Sequence, residues 1–237
     1  MVLSISFVQA QDAQKILSEM DNLMSAPQDR VATVEITIRN KKGNETVREA
    51  SLMQKGANYR LYRYTKPENK AGIATLSHPD GKMWLYMPSF GKAVKITLLS
   101  KSQAFTGTDF SYEDMSGIPY SERFNASLES SDKPNNYLLN LLPKTKETEY
   151  SKIQIYINEE NGYPIEMAFF DKKGNNIKKA DYSYVKKGKY WYAEEVIMTD
   201  LRKDHSTKII IKEVTFDIGL KDDDFTLEKL TGKSKSD

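Results

Sequence analysis

The chain has 237 residues, with 35 Lys plus Arg against 33 Asp plus Glu, a length that sheet-rich sandwiches and barrels reach as one domain. A formal net charge of +2 supplies no general attraction to nucleic acid or anionic membrane. Cysteine is absent, which excludes disulfides, thiolate metal sites, a cysteine nucleophile and the acylated cysteine of a bacterial lipoprotein from this sequence.

The first ten residues, "MVLSISFVQA", are apolar and end in a small residue, like the end of a secretory signal and its cleavage site but without the basic start; an N-terminal strand or frayed end is the alternative. No apolar run approaches the roughly 20 residues of a membrane span. After Asp12, a plausible N-cap, Ala13, Ile16, Leu17, Met20, Leu23 and Met24 recur at helical spacing up to Pro27. This predicts an amphipathic helix of about three turns. From Val31 the period changes to two, with Val34, Ile36 and Ile38 alternating with Thr33, Glu35 and Thr37. Turn signals then recur at "NKKGN", "KPENKAG", "HPDGK", "PSFGK", "ENGYP", "DKKGNN", "KKGK" and "RKDHS", so the chain reads as an antiparallel meander of about ten strands.

Segments 82–88, 136–142, 165–170 and 190–198 are apolar on both faces. A sheet with one wet face would alternate strictly, so these strands need apolar cover on both sides. One helix of three turns cannot cover ten strands, and the sheet must curl around an interior. Fourteen Tyr, nine Phe and nine Met suit an adaptable apolar lining, and equally an ordinary β core.

Signals for catalysis are sparse. His78 in "SHPDG" and His205 in "KDHST" read as solvated turn residues. The nucleophile-elbow, Walker, dinucleotide and H-E-x-x-H patterns are missing, and "DDD" at 222–224 lacks the glycine and distal glutamate of a calcium loop. Residues 103–115, "QAFTGTDFSYEDM", admit two readings. Asp109, Glu113 and Asp114 could be paired carboxylates of the glycosidase kind, although no substrate-binding pattern surrounds them. Alternatively Phe105, Phe110, Tyr112 and Met115 pack, and the carboxylates stay in water, bracing the loop through ion pairs or capped backbone donors. The second reading predicts no enzyme, no cofactor and no metal.

"GKMWLYMPSFGKAVKI" at 81–96 and "AFTGTDFSYEDM" at 104–115 resemble the signature of the bacterial outer-membrane lipoprotein-sorting proteins, relatives of the LolA and LolB periplasmic carriers. The segment from Val196 to Leu230 resembles that family's C-terminal end. The resemblance implies a mainly β fold with few helices: a curved antiparallel sheet forming an unclosed half β-barrel with a helical lid. It places a single domain at 11–230, preceded by a remnant of a secretory signal peptide at 1–10 and followed by a flexible polar tail at 231–237. It also implies a soluble, monomeric periplasmic protein without a lipid anchor. Such a protein would hold acyl chains of a lipoprotein or another lipid, receive them from an inner-membrane transporter and pass them to an outer-membrane acceptor. The rival is an envelope stress sensor or an adaptor of a lipid exporter, acting through protein contacts. Under the carrier reading the expected cavity wall is Leu17, Met20, Met24, Ile36, Leu61, Trp84, Tyr86, Phe105, Phe110, Met167, Phe169 and Trp191. The lid is the loop bearing Asp109, Glu113 and Asp114, with Gly107 and Gly117 as hinges. Strand register, which the sequence leaves open, decides which face each strand residue takes.

Overall fold

The structure, a computed structural model, describes residues 3–232. Helix α1 (Leu3–Met24) leads into β1 (Asp29–Arg39), β2 (Glu45–Lys55), β3 (Tyr59–Lys66), β4 (Ala74–Ser77), β5 (Met83–Met87) and β6 (Lys92–Ile96). A long connection carrying the short helices α2 (Leu98–Lys101) and α3 (Tyr120–Arg123) then reaches β7 (Phe124–Glu129). β8 (Asn136–Pro143), β9 (Lys152–Asn158), β10 (Pro164–Phe170), β11 (Asn176–Lys187), β12 (Tyr190–Asp200) and β13 (His205–Phe216) follow, and α4 (Leu227–Thr231) comes last. The N-terminal helix is 22 residues long, about six turns rather than three, because nothing in residues 3–11 interrupts a helix; Asp12 lies inside it. Strands of four and five residues such as β4, β5 and β6 raise the total to thirteen, which turn punctuation alone does not resolve. Met1, Val2 and the tail residues 233–237 lie outside the described residues, and Thr231 and Gly232 close α4.

All thirteen strands form one antiparallel sheet in the order β6-β5-β4-β3-β2-β1-β13-β12-β11-β10-β9-β8-β7. Pairing of β1 with β13 joins two runs of consecutive hairpins. The free edges are β6 and β7, so the barrel stays unclosed. These two edge strands are consecutive in the chain, so their connection, residues 97–119 and α3, has to cross the open mouth. Edge strands left bare invite aggregation, and here α1 covers β7. The Gln14 side chain accepts from Ala126 N (3.0 Å) and donates to Ser121 O (3.3 Å) and Phe124 O (3.4 Å). One turn-pair later, Asp21 accepts from Tyr120 N (3.1 Å) and Ser121 N (2.7 Å).

The concave face holds the main core, with Leu17 and Met20 of α1 buried against Ile36, Phe124, Leu139, Leu141, Ile155 and Phe169. A second cluster sits on the convex face of β3 to β5, where Leu61, Leu76 and Tyr86 are covered by Phe225 and Leu230. Arg63 fastens that cover by donating from Nη2 to Lys229 O (2.8 Å) and Leu230 O (3.0 Å). This is why segment 82–88 is apolar on both faces. His78 is part of the same cover: its Nε2 lies 2.6 Å from Phe225 O, and its ring meets Trp84 and Tyr59 edge-on. It is therefore not the solvated turn residue that its sequence context implies.

The turn between β12 and β13 is pinned by Asp200, which accepts from Arg202 N (3.0 Å), Nε (3.1 Å) and Nη2 (2.9 Å) and pairs with Lys203 (3.2 Å). Burial pushes its carboxyl up, but the hydrogen bonds from Arg202 and Lys203 outweigh burial and hold it at about 2. A pKa depressed on folding contributes stability above the ordinary value of 3.8 that disappears as pH falls through the folded value. Asp200→Asn should therefore flatten the fall in stability between pH about 4 and 2, read as urea midpoints; an unchanged acid limb would exclude this role.

Candidate functional site: a cavity under the lid

The connection that crosses the mouth folds inward rather than lying wet on the surface. Phe105 is buried between Tyr62 and Tyr112, with ring centroids at 5.3 and 5.4 Å. The three carboxylates expected in water are instead withdrawn from it, each with its own partners. Asp109 lies 2.8 Å from His205 Nδ1 and accepts from Thr207 Oγ1 (2.7 Å). Glu113 pairs with Arg123 at 2.9 Å, and burial pushes its carboxyl up against the opposing effects of Thr148 and Arg123. Asp114 accepts from Ser111 N (2.7 Å) and Tyr150 Oη (2.9 Å), with Lys178 Nζ at 3.6 Å. Ion pairing and local capping brace the loop from inside. The braces come from β11, β13 and the approach to β9, remote in sequence, and from α3, ten residues further along the same connection. His205 is one of them and not a solvated turn residue.

Between this lid and the concave face lies a cavity of about 240 Å³. Its apolar wall is formed by Val34, Leu52, Tyr62, Val196, Ile209 and Ile211 of the sheet, roofed by Phe110, Met115, Ile118 and Pro119 of the lid. Of the residues expected to line it, Met24, Phe110 and Trp191 do so, as do Asp114 and Gly117 of the expected lid. Leu17, Met20, Ile36, Phe105, Met167 and Phe169 are instead packed in the core around it. Leu61, Trp84 and Tyr86 lie on the convex face, a correction that follows from the alternation of β3 and β5: Tyr62 and Met83, one residue away, belong to the concave cluster. Gly107 lies at the lid's outer turn and is not part of the wall.

Sequence reasoning missed the polar end of the cavity. Register aligns Arg30 of β1 with Gln54 of β2, Gln54 with Arg60 of β3, and Arg60 with Ser77 of β4, and all four line the cavity. Two residues deeper, about 7 Å along the strands, the parallel row is Ala32, Leu52, Tyr62 and Thr75. The cavity therefore passes from a cationic row to an apolar one. A signal existed: Arg30 falls on the same alternation as Ala32, Val34, Ile36 and Ile38, and Arg60 on that of Tyr62 and Tyr64, so both charges continue a buried face. Arg30 donates from Nε (3.1 Å) and Nη2 (2.7 Å) to Gln54 Oε1, and Arg60 from Nε to Ala57 O (3.1 Å). Burial lowers both guanidiniums to about 10, which leaves them charged at neutral pH.

A family model described as "Uncharacterized protein" matches residues 56–232. A domain of Vibrio parahaemolyticus described as an outer membrane lipoprotein-sorting protein superposes with a TM-score of 0.86 at 25% identity, covering 94% of this chain and 99% of that one. The chain belongs to the family of this model, and its fold is that of the LolA-like lipoprotein-sorting structures. A DUF1329 family protein of Desulfovibrio piger (TM-score 0.86, 22% identity, 94% and 99% covered) shares the LolA-like fold. So does a LolA superfamily protein of Nitrosomonas europaea (TM-score 0.77, 21% identity, 92% and 98% covered). Comparison with curated protein sequences gave no match. Among the described residues of this LolA-like chain, no helix is long and apolar enough to cross a membrane.

Proposed function

We propose that this LolA-like protein is a periplasmic carrier that holds acyl chains of a lipoprotein or another lipid in the lidded cavity on the way to the outer membrane. The observation that carries the reading is the position of the apolar wall: it lies beneath the segment spanning the two free edges of the sheet, where a lid can rise without breaking a strand pair. Residues 1–10 are a remnant of a secretory signal peptide, and the protein works as a monomer between an inner-membrane transporter and an outer-membrane acceptor. Its action is binding and release without a catalytic step, consistent with lid carboxylates already committed to structural partners.

Size limits the cargo. Ligand pockets commonly hold about 300–1,000 Å³, so 240 Å³ takes part of one acyl chain with the lid down, and a multiply acylated cargo requires the lid to rise. Each buried methylene contributes about 0.8 kcal/mol, so six of them already bring roughly 5 kcal/mol before ordering costs.

Native mass spectrometry with lipid extraction, on protein purified from a Gram-negative envelope, is expected to show an acylated adduct. Ile211→Asp places a charge on the apolar wall and should lower acyl binding at least about tenfold, the penalty of burying an unpaired charge, while circular dichroism stays native. A clean protein mass that stays unliganded when acyl lipids are supplied would remove the carrier reading in favour of a sensor or adaptor working through protein contacts.

A further inference from the structure

The carrier reading needs only an apolar pocket, yet this pocket has a charged end. Arg30 and Arg60 face the cavity with hydrogen bonds to neutral oxygens alone, and among the described residues neither pairs with a carboxylate. The carboxylates on the same wall, Asp21 and Asp114, are occupied: Asp21 by the backbone donors of Tyr120 and Ser121, Asp114 by Ser111, Tyr150 and Lys178. Arg123, also on the wall, stands close enough to Arg60 to disfavour its charge further. Both Arg30 and Arg60 are half-buried, and a guanidinium partly withdrawn from water is costly unless an anion or full hydrogen bonding offsets the loss.

Unused hydrogen-bonding capacity points the same way. Tyr184 Oη and Arg123 Nε are buried without a protein partner, and both residues line this cavity. Native structures leave few buried polar atoms unsatisfied, and those that remain call for a partner. The lid closes on this end: Gly117 sits so near that a Cβ there would lie 2.6 Å from Arg60 Nε.

We propose that the row formed by Arg30, Gln54 and Arg60, completed by Arg123 and Tyr184, binds the anionic headgroup, phosphate or carboxylate, of an acyl amphiphile whose chain lies along Leu52, Tyr62 and Val196. Guanidinium groups recognise both anions through paired N–H donors. The site rests on the carrier reading and narrows it, because a neutral acyl chain leaves the cationic row uncompensated.

The test compares ligands of one chain length on the full chain by competitive displacement of a fluorescent acyl probe: dodecyl phosphate, dodecanoate and uncharged dodecanoyl glycerol. The anionic pair should bind at least about tenfold more tightly than the glyceride, a difference of about 1.4 kcal/mol, and lose that advantage over it in Arg30→Gln/Arg60→Gln. A phosphate ligand preferred over the carboxylate would assign the headgroup to a phospholipid-like source, and the reverse to a fatty acid; both outcomes support the anion site. Equal binding of all three by the wild-type protein overturns the anion site and leaves the carrier standing. Failure of every ligand, the glyceride included, overturns both. The wild-type comparison decides even if the double variant does not fold.

Discussion

Lys178→Met is expected to destabilise the protein by about 3–5 kcal/mol, the usual cost of removing one partner from a buried charge network. Lys178 is on β11 with its side chain 6% exposed. Its Nζ donates to Tyr150 Oη (3.1 Å) and lies 3.3 Å from Glu149 Oε1 and 3.6 Å from Asp114 Oδ2. Tyr150 in turn donates to Asp114 (2.9 Å), and burial, then the Asp114 charge, holds that phenol well above its ordinary value. The network is how the lid is fastened to the sheet. Methionine fills the space and removes the cation that contacts both Asp114 and Glu149. Urea unfolding measures the loss, and the triple variant that also carries Asp114→Asn and Glu149→Gln should recover part of it, since discharging a whole network costs less than breaking it. A loss below about 1 kcal/mol would mean that water already solvates these groups.

Gly117→Ala should exceed Gly107→Ala in cost although both glycines have positive φ, +78° and +83°. At Gly107 an added Cβ meets nothing nearer than Arg48 Nη2 at 3.9 Å, so the penalty is conformational, about 1–2 kcal/mol. At Gly117 the Cβ would lie 2.4 Å from the backbone oxygen of Ala57 and 2.6 Å from Arg60 Nε. The carbonyl cannot swing aside as a side chain does, so the lid or the β2–β3 turn must move, adding about 1–3 kcal/mol of overpacking. Acyl binding should fall in Gly117→Ala and stay near wild type in Gly107→Ala. Equal effects on stability and binding in the two variants would refute the close approach of lid to wall.

The two glycines show where sequence reading stops. Both bracket the acidic stretch in the same way and look like equivalent hinges; only the fold shows that one is pressed against Ala57 and Arg60 while the other meets Arg48 only at ordinary contact distance. The carboxylates between them illustrate the same limit. Asp109, Glu113 and Asp114 look solvent-facing because their neighbours in sequence are polar or aromatic, and they are buried because His205, Arg123 and Lys178 arrive from other elements. Met24, Phe110 and Trp191 were legible as cavity residues, being apolar where a lid or inner face was expected. Leu61, Trp84 and Tyr86 were misplaced because a period-two pattern names two faces without saying which is concave.

The sequence by itself determined the antiparallel meander, the N-terminal amphipathic helix and the family signature, because periodicity, turn residues and local motifs are short-range properties written in consecutive residues. Tertiary structure alone decided that β6 and β7 are the free edges, that the segment between them must bridge the mouth, and that Arg30, Gln54 and Arg60 stand in one row. Edges and rows depend on cross-strand register, and a slip of a single residue would turn the same arginines out to water.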